Sequence, residues 1–263
     1  MDTPTSLRTY DYGTPQYFFY KTMHEYQTFQ SVTDKLKQYK SSYNVRYYMN
    51  DVLEMMDDFI DPSDPDVDEP NSFHAYQTAE SIRKREPNNK SLQVCGLIHD
   101  LGKILFKFNE PSWSVVGDTY AVGCKFPDTI VYYETMKENP DYTNPLYNTK
   151  YGVYEPNCGI RNLFITVGHD EYLYRVLQNN NNNHTFPNKY QDVIRFHSLY
   201  PWHTGGSYRE FMKPEDELLL NDVRNFNTYD LYSKSDDKFK VTDDVKKYYN
   251  NLLQEFFPVP LLW

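Results

Sequence analysis

The chain has 263 residues, 39% of them hydrophobic and 24% charged, enough to bury one sizeable core in a globular protein. Its formal net charge of −10 argues against a nucleic-acid backbone or an anionic membrane surface as partner, since both require a basic face. A neutral polar ligand, or one served by a cation that a metal supplies, fits better. Tyrosine (26) and phenylalanine (16) dominate an aromatic content of 17%. The mean hydropathy of −0.79 therefore reflects rings with polar tips rather than disorder.

Cys95, Cys124 and Cys158 are odd in number and without paired spacing, which points to reduced thiols in a cytosolic setting. The first twenty residues lack an apolar signal core, and no run approaches a membrane span. A cytoplasmic monomer is the expectation.

Helical periodicity runs through most of the chain, which makes the expected fold mainly α: a single-domain helical bundle. Val45, Tyr48, Met49, Val52, Met55, Met56 and Phe59 follow helical spacing until the proline-rich IDPSDPDVDEP. A second helix is predicted over about 72–85, with Phe73, Tyr76, Ala79 and Ile82 on one face and Pro87 beyond its end. A third begins near Ser91, a suitable N-cap, and is apolar all round through Leu101, so it is buried. From Lys103 to Asn157 the helical signal weakens. That irregular excursion is long enough to be functional, and WSVVGDTYAVGC within it can form a short β-hairpin with glycine turns. Helical patterning returns over 159–178, 187–199, 214–232 and 243–256, and the asparagine run 179–183 reads as a surface loop.

Several chemistry-bearing residues fall on inward faces of these helices. His197 completes the stripe Tyr190, Val193, Ile194, His197; His169 shares a face with Ile165, Tyr172 and Val176; His99 follows Ile98 at the end of the third helix. Asp230 lies on the stripe Leu219, Val223, Phe226, Asp230, and no Lys or Arg falls on that stripe. A carboxylate buried on an apolar stripe costs several kcal/mol unless compensated. A metal ion compensates Asp100 and Asp230 while fixing neutral imidazoles. With His74, the four imidazoles and two carboxylates are too many for one ion that keeps open positions, and they suit two, with Asp100 bridging. Nitrogen and oxygen donors admit Fe, Mn, Zn or Co. His24, His184 and His203 show no such pattern, and Cys95 belongs to packing.

The order H…HD…D on a helical scaffold resembles the HD-domain superfamily. The segments IDPSDPDVDEPNSFHAYQTAESIRK, GLIHDLGK, WSVVGDTYAVGC, GHDEYLYRV, IRFHSLYPWHTG and FNTYDLYSK look like the successive signatures of the myo-inositol oxygenase family. LRTYDYG, FYKTMHEYQT and the terminal LLW extend the resemblance essentially end to end. It implies a single catalytic domain over 1–263, with an HD-type core over about 45–256 and an N-terminal segment 1–44 covering the site. It further implies a mixed-valent Fe(II)/Fe(III) pair, no organic cofactor, and cleavage of myo-inositol by O2 to D-glucuronate and water, the first step of inositol catabolism. All four electrons would come from the substrate. His74, His99, Asp100 and Asp230 would hold one iron, and Asp100, His169 and His197 the other. Substrate contacts would come from Arg8, Asp61, Ser63, Lys103, Gly117, Asp118, His197 and Ser198, with Tyr20 closing the pocket. Lys103 and Asp100 would be the catalytic pair, Lys103 stabilising negative charge that develops on the substrate. Pro62 departs from the acidic residue expected in animal relatives, and it removes a backbone N–H between Asp61 and Ser63.

Two other classes fit the same scaffold. An HD-type two-metal phosphohydrolase would need several cations around the metals; here Lys103 adjoins a ligand motif and Arg195 lies two residues before His197. A non-catalytic metal-binding scaffold would tolerate decay of the ligand set, yet all six positions are present.

Overall fold

The computed structural model describes residues 11–40, 43–59, 70–233 and 239–263. The N-terminal part carries α1 (Pro15–Tyr26) and α2 (Phe29–Tyr39). Thr14 caps α1 ahead of a proline at its first position, where the missing N–H costs nothing. Thr28 and Ser31 exchange side-chain and backbone hydrogen bonds at the start of α2. A two-residue strand β1 (Arg46–Tyr47) then leads into α3 (Met49–Met55). The helical spacing from Val45 therefore overshoots: Val45 to Tyr48 is extended, because β1 pairs antiparallel with the C-terminal strand β2 (Leu261–Leu262). Trp263 seals this junction. It is fully buried, its N–H donates to Val45 O, and its carbonyl accepts from Tyr43 N, both at 2.9 Å.

The central bundle consists of α4 (Asn71–Arg85), α5 (Lys90–Ile98), α6 (His169–Asn179), α7 (Asn188–Phe196) and α9 (Asp216–Ser233), with short α8 (Tyr200–His203) before α9. The last helix is α10 (Asp243–Phe256). α5 packs against α4, α7, α9 and α10, and its residues 92–98 are all buried, as its all-round apolar pattern requires. Its N-cap is Asn89, whose Oδ1 accepts from Leu92 N, rather than Ser91.

Between α5 and α6 the chain is irregular, as predicted, with 3-10 turns at 101–108, 112–114, 133–138, 140–143 and 160–162. The expected hairpin does not form within WSVVGDTYAVGC. That segment pairs instead with 164–166: Ala121 bridges Ile165, Val122 N donates to Phe164 O and Thr166 N to Tyr120 O. Residues 163–167 are therefore extended and α6 starts only at His169, ten residues later than the periodicity suggests. The asparagine run is a surface turn as expected, except at one position. Asn180 is buried and its amide brackets β2, donating to Leu262 O and accepting from Leu262 N. No helix among the described residues is long and apolar enough to cross a membrane.

Two histidines outside the predicted site set the acid tolerance of this core. His24 donates from Nδ1 to Thr135 Oγ1 at 2.6 Å and is completely buried; burial pulls its pKa down to about 3. His203 is held neutral in the same way, its pKa pulled down to about 3 by burial, with Nε2 donating to His197 O at 2.9 Å. The unfolded chain takes up these protons near pH 6.5 and the folded chain only near 3, so the contribution of these two histidines to stability is complete above 6.5 and falls as the pH drops. Each histidine should contribute a slope of roughly 1.4 kcal/mol per pH unit. Urea titrations between pH 6.5 and 5 should show His24→Phe losing less stability than wild type over that window. Parallel pH profiles of the two proteins would contradict the assignment.

Candidate metal centre

Four imidazoles and two carboxylates converge inside the bundle. α4 contributes His74, the end of α5 His99 and Asp100, the first turn of α6 His169, the C-terminal cap of α7 His197, and α9 Asp230. The Oδ1 of Asp100 lies 3.1 Å from His169 Nε2, 3.6 Å from His99 Nε2 and 3.8 Å from His197 Nε2. Asp230 Oδ1 lies 2.8 Å from His74 Nε2 and 3.5 Å from His99 Nε2. The donor atoms form two groups able to hold a metal ion, His74/His99/Asp100 and Asp100/His169/His197, and they share Asp100. Asp230 is thus not the unpartnered charge that its stripe implies, since two imidazoles from other helices face it. The stripe itself is as predicted: Leu219, Val223 and Phe226 are buried, and the Phe226 ring packs edge-on to His99.

The imidazoles are oriented from behind. Nδ1 of His99 donates to Gly96 O at 2.8 Å, Nδ1 of His169 to Val115 O at 2.8 Å, and Nδ1 of His197 to Ile194 O at 2.7 Å. A neutral imidazole whose Nδ1 carries the proton presents a lone pair at Nε2. The Nε2 atoms of His169 and His197 are 3.3 Å apart. Two lone pairs facing each other at that range repel unless a cation or a proton sits with them, so the donor set fits a metal ion. Without one, burial disfavours charge on His197, but the Asp100 carboxylate and the nearby Asp170 push its pKa up to about 9. Burial likewise works against ionised Asp100, yet Lys103 and His99 hold its carboxyl well below the usual range. His74 and His99 do the same for Asp230.

Of the other residues singled out in the sequence, Lys103 touches this cluster directly. Lys103 is buried and its Nζ donates to Asp100 Oδ2 at 2.9 Å and to Asn71 Oδ1 at 3.4 Å. It therefore faces the centre rather than capping the α5 carbonyls. Thr119 N donates to Ser198 O at 2.8 Å, which joins the Gly117–Asp118 turn to His197–Ser198. Gly117 has φ +99°, and a Cβ there would lie 2.9 Å from Phe19 Cε1. Only glycine meets both demands. Tyr20 donates from its hydroxyl to Asp118 Oδ1 at 3.1 Å, fastening α1 to that turn. Arg8, Asp61, Pro62 and Ser63 lie outside the described residues.

Sequence reasoning missed three buried residues that shape the site. Gln27 clamps the loop before α6, with Nε2 donating to Val167 O and Oε1 accepting from Val167 N. Asp170 is fully buried, and burial raises its pKa. Glu171 pairs with Arg195 at 2.6 Å. Such long-range polar contacts leave no local sequence signal. Gly102 gives a sharper test. A Cβ at Gly102 would lie 1.8 Å from His169 O, a backbone clash that only a shift of the α6 N-terminus relieves. Gly102→Ala should cost about 3 kcal/mol or more, read as a lowered melting temperature; an unchanged melting curve would contradict the packing.

A helical protein with a buried His/Asp cluster able to hold metal is the class that fold and site define. The chain belongs to the myo-inositol oxygenase family, whose model matches residues 16–263. It is 45% identical over 245 residues to an inositol oxygenase from Danio rerio, covering 93% of this chain and 87% of that one. It is 44% identical to an inositol oxygenase from Mus musculus, covering 93% and 85%. A probable inositol oxygenase from Oryza sativa subsp. japonica is 44% identical over 248 residues, covering 93% and 80%.

Proposed function

We propose that the protein is an inositol oxygenase, cleaving the ring of myo-inositol with O2 to give D-glucuronate and water. The observation that carries this is the shared Asp100 between two metal-competent groups in a chain of this family. His74, His99, Asp100 and Asp230 would hold one iron, and Asp100, His169 and His197 the second. A mixed-valent iron pair, when bound, supplies the redox chemistry with oxygen and the positive field that acidifies a substrate hydroxyl.

The remaining work falls to the chain. Lys103, with its Nζ on Asp100 Oδ2, offers a cation where negative charge develops on the substrate oxygen. The Asp118 carboxylate accepts hydrogen bonds from sugar-like hydroxyls, and Ser198 donates or accepts beside it. Arg8, Asp61 and Ser63 would complete the polyol contacts. Tyr20, joined to Asp118, ties α1 over the turn and helps exclude water. No organic cofactor is required, because the substrate supplies all four electrons. Three free cysteines, two of them buried, fit a reducing cytoplasm, and a monomer acting on a small polyol needs no further partner.

The phosphohydrolase alternative is disfavoured by the surroundings of Arg195. Its guanidinium is committed to Glu171 and to the carbonyls of Arg161 and Leu163, and so supplies no cation for a phosphate. His197→Ala decides whether this centre is catalytic. Inositol-dependent oxygen uptake should vanish while the circular dichroism spectrum is kept, and uptake within tenfold of wild type would remove the centre from the reaction.

A further inference from the structure

We infer that the buried Glu171–Arg195 ion pair positions His169 and His197 for the second of the two metal ions, and not for the first. The inference rests on the two-metal reading above. Glu171 stands in the first turn of α6, two residues after His169, and Arg195 in the last turn of α7, two residues before His197. Arg195 Nε meets Glu171 Oε2 at 2.6 Å with both side chains at most 5% exposed. The other guanidinium nitrogens donate to Arg161 O at 2.8 Å and Leu163 O at 3.3 Å, in the segment that leads into α6. Arg175 completes the Glu171 carboxylate from Oε1 at 2.7 Å. The contacts of Arg195 therefore tie the end of α7 to the first turn of α6 and to the segment before it, joining the two helix ends that bring His169 Nε2 within 3.3 Å of His197 Nε2. The signs also match the helix termini, acid at an N-terminus and base at a C-terminus.

Buried ion pairs are poor sources of stability, because well-packed apolar residues of the same volume often do as well or better. Their contribution here is to geometry. Two helix ends joined only by apolar packing can slide, whereas a planar guanidinium donating to Glu171 Oε2, Arg161 O and Leu163 O at once fixes both distance and rotation. His74 stands on α4 and His99 caps α5, and the hydrogen bonds described for Glu171 and Arg195 run to Asp170, Arg175, Arg161 O, Leu163 O and each other rather than to those two helices. Glu171 and Arg195 are thus positioning residues for one half of the centre.

Anaerobic equilibrium dialysis with Fe(II) tests this, with melting temperature measured alongside. Wild type should bind two ions; fewer would fail the two-metal reading itself and leave nothing for the pair to position. The double variant Glu171→Met/Arg195→Met should keep a melting temperature close to wild type while one of its two sites weakens by about 10- to 100-fold. Two sites of wild-type affinity, or equal weakening of both, would overturn the inference. Should the double variant not fold, Arg195→Lys decides. It keeps the charge but loses the fork, so weakening of one site supports the role and unchanged binding overturns it.

Discussion

Asp100→Asn should lower inositol-dependent oxygen uptake by about 10³-fold or more, the consequence of losing several kcal/mol of charge compensation at a shared ligand. Its Oδ1 is the only atom described here that approaches three imidazole nitrogens, at 3.1, 3.6 and 3.8 Å. An amide oxygen in that place carries no formal charge, and an amide nitrogen would present hydrogens to Nε2 lone pairs. Both metal-competent groups lose their common member, so metal content should fall together with rate. Parallel assays of bound iron and oxygen uptake check this; a variant that keeps two irons and activity within tenfold of wild type would refute the sharing.

Lys103→Met should lower kcat by about 10²- to 10³-fold, the usual loss when a donor to developing charge is removed. The methionine keeps most of the buried aliphatic volume, so the fold should be retained. The charge that normally faces Asp100 Oδ2 at 2.9 Å disappears, while the imidazoles and Asp230 remain. A rate defect with two irons still bound identifies Lys103 with the reaction. If iron binding falls in proportion to rate, its role is to hold the Asp100 carboxylate.

The contrast between helix faces and connecting segments explains what was legible in the sequence. α4 and α10 begin and end within a residue of their predicted limits, because each shows one apolar face and has clear boundary residues. The stripe ending in Asp230 is buried along its length for the same reason. Leu163 and Val167 are just as buried, yet they lie before α6, where the chain runs extended against 120–122, and Ile160 opens a 3-10 turn. A short, wholly buried apolar run looks alike whether it is strand or helix, since neither has a polar face to set the period. The site histidines were legible because each sits on an inward face or at a helix end. Glu171, Arg195 and Gln27 were not, because ordinary polar residues acquire their roles only from partners brought near by the fold. The family resemblance supplied what spacing could not: iron, oxygen and inositol.

The most direct test of the centre as a ring-cleaving oxygenase is a paired measurement on the iron-loaded protein. With myo-inositol as substrate, oxygen consumption and D-glucuronate formation should rise together in a ratio of about one to one, as a balanced four-electron reaction requires. Phosphate release from a phosphomonoester with no oxygen uptake on inositol would contradict it.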